Sequence, residues 1–491
     1  MHFLTGKAVS ALLTLIILLL LVRILSTEAY GMYVLLVAGM ELALAMLSFG
    51  LPWMAARYLP EFRLHGGSLV AQFVWKIIAL LACALTVGVC ALFFIVQWLL
   101  PAELMQYANM AELFLLVLLL EGLSRRIREN ILGPLMQQKL AQVTLVARNF
   151  TFLLLIGIFC LSAEIGLHHV VFAEIFASVL GLVLLFNGLI RHLNTYRNMA
   201  ANANWVQPDW NRMWRVARNM YFNNLIVLLY SPQMFIFLTQ RYLGIEATAL
   251  FGFLCKLYMQ IVNYLPATLL FSLIQPKLVA SYIHAGNMHD LARNANLVGK
   301  LSLFVLMPLV AYVWLVGDEL LYLLSDGKFV LSGDYLTGLM FAMIPLSQRR
   351  ILETVAVAID KNHIVLLGGI LGGLSLPLAF FLLKTGQGLW GPIIAIITAQ
   401  VVYNFTLIFY LVRHTTYRPD TIGLVKLILA SFSVLIIAEL PVVQLHGVLS
   451  LFVLMMIVTG FFLLSAYLIK PFKAEERERL NSFVSKKIFI W

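Results

Sequence analysis

LVRILSTEAYGMYVLLVAGM, residues 21–40, breaks an otherwise oily run with one cation, Arg23, and one acid, Glu28. The same interruption returns in RYLGIEATALFGF, residues 241–253, where Arg241, Leu243, Glu246, Ala247 and Phe251 repeat the spacing and kind of Arg23, Leu25, Glu28, Ala29 and Tyr33. Charges are scarce in this chain, so a matched pair of them is a sharper signal than matched leucines. The two segments read as one structural unit used twice, each a short polar connector between apolar helices.

Of the 491 residues, 62% are hydrophobic and 12% charged, against roughly a quarter charged in a soluble domain. Apolar stretches recur from the first residues to near residue 468, many beyond the roughly 20 residues a helix needs to cross hydrocarbon. The chain is a membrane protein, and no stretch is polar enough for a second, soluble domain. Lys7 ahead of the first apolar run imitates a signal peptide, but the run is long, reaches Arg23 and meets no small-residue cleavage site, so it reads as a retained first helix. Cys83, Cys90, Cys160 and Cys255 lie inside apolar stretches without metal-ligand spacing and read as packing residues. No metal or cofactor is expected.

The net charge of +11 reflects topology rather than nucleic-acid binding. With the N-terminus cytoplasmic, about 27 of the 34 Lys and Arg fall on the cytoplasmic side, as the positive-inside rule requires. Both termini then lie in the cytoplasm.

The pattern predicts an all-α polytopic membrane protein of about 14 transmembrane helices, near 5–23, 33–56, 69–99, 109–134, 142–161, 167–190, 213–240, 246–275, 297–325, 333–359, 363–384, 389–413, 421–442 and 445–468. A second internal match, Gly166, Leu167, Ala173, Ala177 and Val179 with Gly388, Leu389, Ala395, Ala399 and Val401, keeps nearly the same offset as the first. The expected organisation is an N-terminal six-helix lobe (1–190), a cytoplasmic linker (191–212), a C-terminal six-helix lobe (213–413), two appended helices (421–468) and a cytoplasmic tail (469–491). Six helices per lobe is an even number, so the copies keep one orientation and form a parallel repeat, a common basis for alternating access.

Charges within membrane helices cost a few kcal/mol each and mark candidate cavities. In the fourth expected helix, LLLEGLSRRIRENILGPLM, Glu121, Arg125 and Arg128 stand at spacings of four and three and share a face. Interfacial anchoring is the competing reading for these arginines. In the tenth, MIPLSQRRILETVAVAIDKNH, Arg349, Glu353 and Asp360 form a stripe with Arg350 one turn from Glu353. Lys256, Glu41 and Glu174 are isolated charges in apolar surroundings. Arg148, Arg218 and Arg293 each sit in an Ala-Arg-Asn triplet, a pattern that positive-inside anchoring also explains. A basic cavity beside apolar helices suits an anion with a lipid tail, because the planar guanidinium pairs bidentately with phosphate.

LVRILSTEAYGMYVLL followed by SFGLPWMAARYLPE resembles the opening of polysaccharide-transport and O-antigen flippase proteins. LGIEATALFGFLCKLYMQIVNYLPATLLFSLIQPKLVASY looks like that family's eighth-helix region, with Lys256 and Pro276, and GQGLWGPIIAIITAQVVYNFTLIFYLVR is similar to its twelfth helix. The resemblance implies a member of the multidrug, oligosaccharidyl-lipid and polysaccharide exporter superfamily. It further implies a flippase of the bacterial cytoplasmic (inner) membrane that moves a polyprenyl diphosphate-linked oligosaccharide, an exopolysaccharide or O-antigen repeat unit, from the inner to the outer leaflet. Arg23, Arg125, Arg128, Arg218, Lys256, Arg349 and Arg350 carry the expectation of substrate binding. Many relatives have an Asp in the seventh helix; here Gln233 stands about there, which leaves Glu41, Glu174, Glu353 and Asp360 as candidates for ion coupling.

Rival readings within transport are a lipid II flippase and a multidrug exporter; the arginine excess disfavours a cationic drug. A membrane-embedded polysaccharide-synthesis enzyme is disfavoured because outward loops are short and no nucleophile with a base, metal cluster or phosphate loop appears. Expected partners are the lipid-linked oligosaccharide, membrane lipids, and a polysaccharide polymerase and chain-length regulator; nucleic acid is not among them. The tail KPFKAEERERLNSFVSKKIFIW is expected as a short amphipathic helix on the membrane, against a partner, or in solvent.

Overall fold

The computed structural model describes residues 2–162, 165–200, 205–265, 268, 288–359, 361–434, 447–484 and 489–490, and its described residues are helices and connectors without a strand. They cluster into two compact units, Met1–Gly252 and Phe253–Trp491. Eleven described segments are long and apolar enough to cross a membrane. One of them, Trp210–Tyr264, contains the seventh expected helix and the described part of the eighth. The tenth expected helix, with Arg349, Arg350 and Glu353, is too polar to be counted, and the described part of the thirteenth is too short.

The first unit begins with α1 (His2–Ile24), α2 (Thr27–Leu47), α3 (Leu51–His65) and α4 (Leu69–Leu99). It continues through α5 (Ala108–Ile127), α6 (Gln138–Ser162), α7 (Leu167–Asn194) and α8 (Trp210–Leu228). Helix α5 packs against α4 and α7, α6 against α1 and α7, and α3 against α4 and α8. The predicted second helix, 33–56, is divided. Phe49 (φ 44°) and Gly50 (φ 74°) turn the chain between α2 and α3. A Cβ on Gly50 would lie 2.0 Å from the Ala217 carbonyl oxygen of α8, so the turn needs glycine both for its left-handed backbone and for its closeness to α8. The seventh expected helix ends at Leu228 and resumes at Pro232, whose ring and missing N–H cannot continue a helix.

Helix α9 (Pro232–Tyr264) crosses the boundary between the units and is bent at Gly244 (φ 83°, ψ −176°). The connector matched in the sequence breaks the helix in both places: at Ser26, which accepts from the Ala29 N–H to cap α2, and at Gly244.

The second unit holds α10 (Met288–Ser325), α11 (Gly333–Ala358), α12 (Asn362–Gly373), α13 (Ser375–Lys384), α14 (Trp390–His414), α15 (Thr421–Phe432), α16 (Val448–Ile469) and α17 (Ala474–Val484). Helix α10 packs on α11, α15 and α16, and α14 on α11, α12 and α13. The eleventh expected helix divides at Leu374; Pro377, four residues after Gly373, interferes with the Gly373 carbonyl. Helix α17 is the tail helix. It docks on its own unit through Glu476, which is buried, and Leu480, packed with Phe472 and Leu297.

Candidate functional site

The fourth expected helix is α5 followed by one wider, π-helical turn, Arg128–Leu132. Such a turn inserts a residue and changes which way the following side chains point. Arg128 is buried, with Nη2 2.5 Å from Glu121 Oε1 and Nη1 donating to Ser124 Oγ. Arg125 turns instead to α2, donating from Nη1 to Glu41 Oε1 at 2.6 Å and from Nε to Glu129 Oε1 at 2.9 Å. The two arginines placed on one face by spacing therefore have different surroundings: Arg128 is sealed within the helix bundle, whereas the Arg125 side chain is 35% exposed.

Arg148 of α6 continues the network. It forms an ion pair with Glu174 of α7, and its Nε lies 3.6 Å from Glu121 Oε2. The Tyr33 hydroxyl of α2 donates to Glu174 Oε1 at 3.0 Å, and Arg148 Nη1 donates to Asn149, whose amide donates to Thr14 of α1. Two carboxylates and two guanidiniums of α5 with its wider turn, α6 and α7 thus balance each other, with neutral hydrogen bonds reaching α1 and α2. Glu121 Oε2 and Arg148 Nε, facing each other, have no hydrogen-bond partner among the described residues. Burial of four charges is tolerated because each meets its opposite within a low-dielectric interior.

Beside this network a cavity of about 190 Å³ is lined by Glu41, Ser48, Trp53, Arg126, Asn130 and Gln233. Arg126 Nη2 donates to the Leu44 carbonyl at 3.2 Å. Gln233, where the sequence suggested a missing Asp, lines the same cavity. Of the other N-terminal candidates, Arg23 is exposed at the end of α1, and Arg218 is exposed on α8.

In the second unit, Arg349 donates to Glu353 Oε1 at 2.8 Å and lies 4.1 Å over the Tyr403 ring, and the Tyr403 hydroxyl donates to the same oxygen at 2.7 Å. Gln400 of α14 accepts from Arg349 Nη1 at 3.5 Å. Arg350 is exposed and Lys256 half-buried. Asp360 lies outside the described residues. Lys300, which the sequence reading passed over, is wholly buried at the base of α10. Its ammonium donates to Asp420 Oδ2 at 2.7 Å, to the Pro471 carbonyl at 3.4 Å, and to Glu476 of the tail helix.

Sequence spacing found the pairs within one helix. It missed the reach of Arg148 and Lys300 across helices, whose only sequence signal was an acid elsewhere of unknown proximity. Chemically, the guanidiniums offer multiple N–H donors to an oxyanion, and Glu41, Glu174 and Glu353 hold them in place. Among the described residues, no group of three or more His, Cys, Asp or Glu is arranged to hold a metal ion.

The fold is similar to that of solved transporters. A structure described as the lipid II flippase MurJ in an inward closed conformation superposes with a TM-score of 0.67 at 13% identity, covering 95% of this chain and 98% of that one. An inward-facing multidrug resistance MATE family transporter of the MOP superfamily gives 0.64 at 13% identity, with 82% and 93% covered. A Vibrio cholerae MATE transporter gives 0.55 at 13% identity, with 85% and 96% covered. No curated protein matches the chain. The family model described as "Polysaccharide biosynthesis protein" matches residues 2–273. This multi-pass membrane chain, similar in fold to the MurJ and MATE structures, belongs to the polysaccharide biosynthesis protein family.

Proposed function

We propose that the protein is a flippase that carries a polyprenyl diphosphate-linked oligosaccharide, an exopolysaccharide or O-antigen repeat unit, from the inner to the outer leaflet of a bacterial cytoplasmic membrane by alternating access. The observation that carries the reading is the polysaccharide-family match on a chain whose helices hold carboxylate-paired guanidiniums: Arg125 beside the polar cavity and Arg349 on α11. A diphosphate needs such donors, and a carboxylate-held arginine is preorganised to supply them. On this reading Arg125, Arg349, Arg350, Lys256, Arg218 and Arg23 serve the substrate, while Arg128, with both terminal nitrogens engaged by Glu121 and Ser124, supports the site from behind. Glu41, Glu174, Glu353 and Asp360 remain the candidates for coupling to an ion. A polymerase and a chain-length regulator are the proposed protein partners.

The test is glycolipid flipping by the purified protein in liposomes. The parent should flip the lipid-linked oligosaccharide, and Arg125→Ala should slow it by roughly tenfold or more, the loss of one charge-assisted contact, with its thermal midpoint nearly unchanged. Undiminished flipping by that variant removes Arg125 from the site, and an inactive parent removes the transport reading. A lipid II flippase is the second reading, favoured by the 95% coverage on the MurJ fold against 82% on the MATE fold. Offering lipid II in the same liposomes separates the two.

A further inference from the structure

Helix α8 has an unusual exposed face. Asn211, Trp214, Arg215, Arg218, Tyr221 and Phe222 recur at three- and four-residue spacing and so share one face of the helix, three of them aromatic and two of them arginine. Here the stripe lines an open groove of about 520 Å³, with Phe49 from the α2–α3 turn as its other wall. The buried face of α8, Met213 and Ala217, packs the other way.

The two walls are fixed to each other. Gly50 lies against the Ala217 backbone, the Tyr221 hydroxyl donates to the Met46 carbonyl at 2.8 Å, and the Phe49 and Tyr221 rings are 5.6 Å apart. Phe49 itself takes a left-handed backbone (φ 44°) that a bulky residue adopts rarely, and it is 45% exposed. A strained, exposed aromatic held at the mouth of a groove is a feature that packing alone does not call for.

Arg215 and Arg218 differ from the arginines of the ionic network. Arg128, Arg148, Arg125 and Arg349 each have a carboxylate partner, whereas Arg215 and Arg218 make no ion pair or hydrogen bond among the described residues. Standing three apart on one helix face, they repel each other unless an anion lies between them. The aromatic rings beside them suit the boundary between headgroups and hydrocarbon, where Trp and Tyr concentrate. Phe49 and Phe222 offer apolar surface continuous with the charged end. The combined chemistry is that of an anionic amphiphile: phosphates for the guanidiniums, sugar or prenyl surface for the rings.

We propose that this groove is a loading site, where Arg215 and Arg218 grip the diphosphate of a polyprenyl glycolipid before the lipid is carried across. The proposal rests on the transport reading above and adds a place of capture, with Arg215, Trp214, Tyr221 and Phe49 as binding residues alongside Arg218. A free soluble diphosphate shares the headgroup chemistry but has no use for the apolar wall.

The protein in nanodiscs of neutral lipid is titrated with a short-chain polyprenyl diphosphate and, separately, with inorganic pyrophosphate, followed by tryptophan fluorescence. The parent should respond to the lipid diphosphate, and Trp214→Phe should remove most of that response. The double variant Arg215→Ala/Arg218→Ala should bind it roughly tenfold or more weakly. Lysine at both positions should restore part of the affinity. Both arginines are exposed, so the variants should keep the parent's thermal midpoint. Equal affinity in the double variant overturns the proposal, and so does pyrophosphate binding as tightly as the lipid, which marks a site for a soluble anion. Flipping in liposomes is a separate readout: a parent that binds through these arginines but does not flip leaves the groove standing and removes the transport reading.

Discussion

Arg148 stands between Glu174 and Glu121 with the Tyr33 hydroxyl on the far side of Glu174. Removing its charge would take away the guanidinium that bridges the two buried carboxylates. Arg148→Ala is therefore expected to cost about 3–5 kcal/mol, the usual penalty for stranding a buried charge. Adding Glu174→Gln should recover part of that loss, and denaturation of the purified variants measures both. The Glu121–Arg128 and Arg349–Glu353 pairs were legible in the sequence because seven and four residues return a helix to the same face. Arg148 was not, because its Ala-Arg-Asn triplet matches that of exposed Arg218 and the acid it meets is 26 residues away. Local periodicity cannot tell an anchor from a member of a buried pair when the partner lies on another helix.

Each expected helix has a counterpart among the described residues, since an apolar run of membrane length has few alternatives to a helix. Their interruptions were less legible. Hydropathy averages over single residues, and the turn at Phe49 and Gly50 lies inside one apolar run. Gly244 has open space around its Cα, so Gly244→Ala meets no clash. Its backbone nevertheless lies in a region open essentially to glycine, and the substitution should destabilise by about 1–3 kcal/mol, read from the thermal midpoint. The tail helix α17 was expected on the membrane, on a partner or in solvent; the structure ties it to α10 and α15 through Lys300, Arg293 and Asp420. Burial by itself would raise the Asp420 carboxyl, but the Lys300 ammonium, the Gly423 N–H and the nearby Lys473 charge outweigh it and hold it below the usual carboxylate range. A depressed carboxyl stabilises the fold above its unfolded pKa and loses that contribution as pH falls through the folded value. The thermal midpoint should then drop on acidification below about pH 4, less steeply in Asp420→Asn.

For the molecule as a whole, the matched connectors at Arg23–Glu28 and Arg241–Glu246 each end up at a helix break, one capped by Ser26 and one bent at Gly244. The likeness to the MurJ and MATE structures at 13% identity shows how little of such a fold resides in particular side chains. The cargo proposed here is anionic, so its transfer should respond to voltage. Each net negative charge moved across 100 mV changes the free energy by about 2.3 kcal/mol. Liposomes polarised with the donor side negative should accumulate flipped glycolipid further than unpolarised ones, and reversing the polarity should reverse the bias.

Lys300 bears on how the protein is made. Its two further partners beyond Asp420, Pro471 and Glu476, follow it by 171 and 176 residues. A nascent chain already threaded into the bilayer through α10 therefore holds an ammonium group whose final enclosure waits until the tail has left the ribosome. Enclosure of this cation therefore waits on residues made long after α10, and a chain terminated before them would present it, half-neutralised, to the quality-control proteases of the cell.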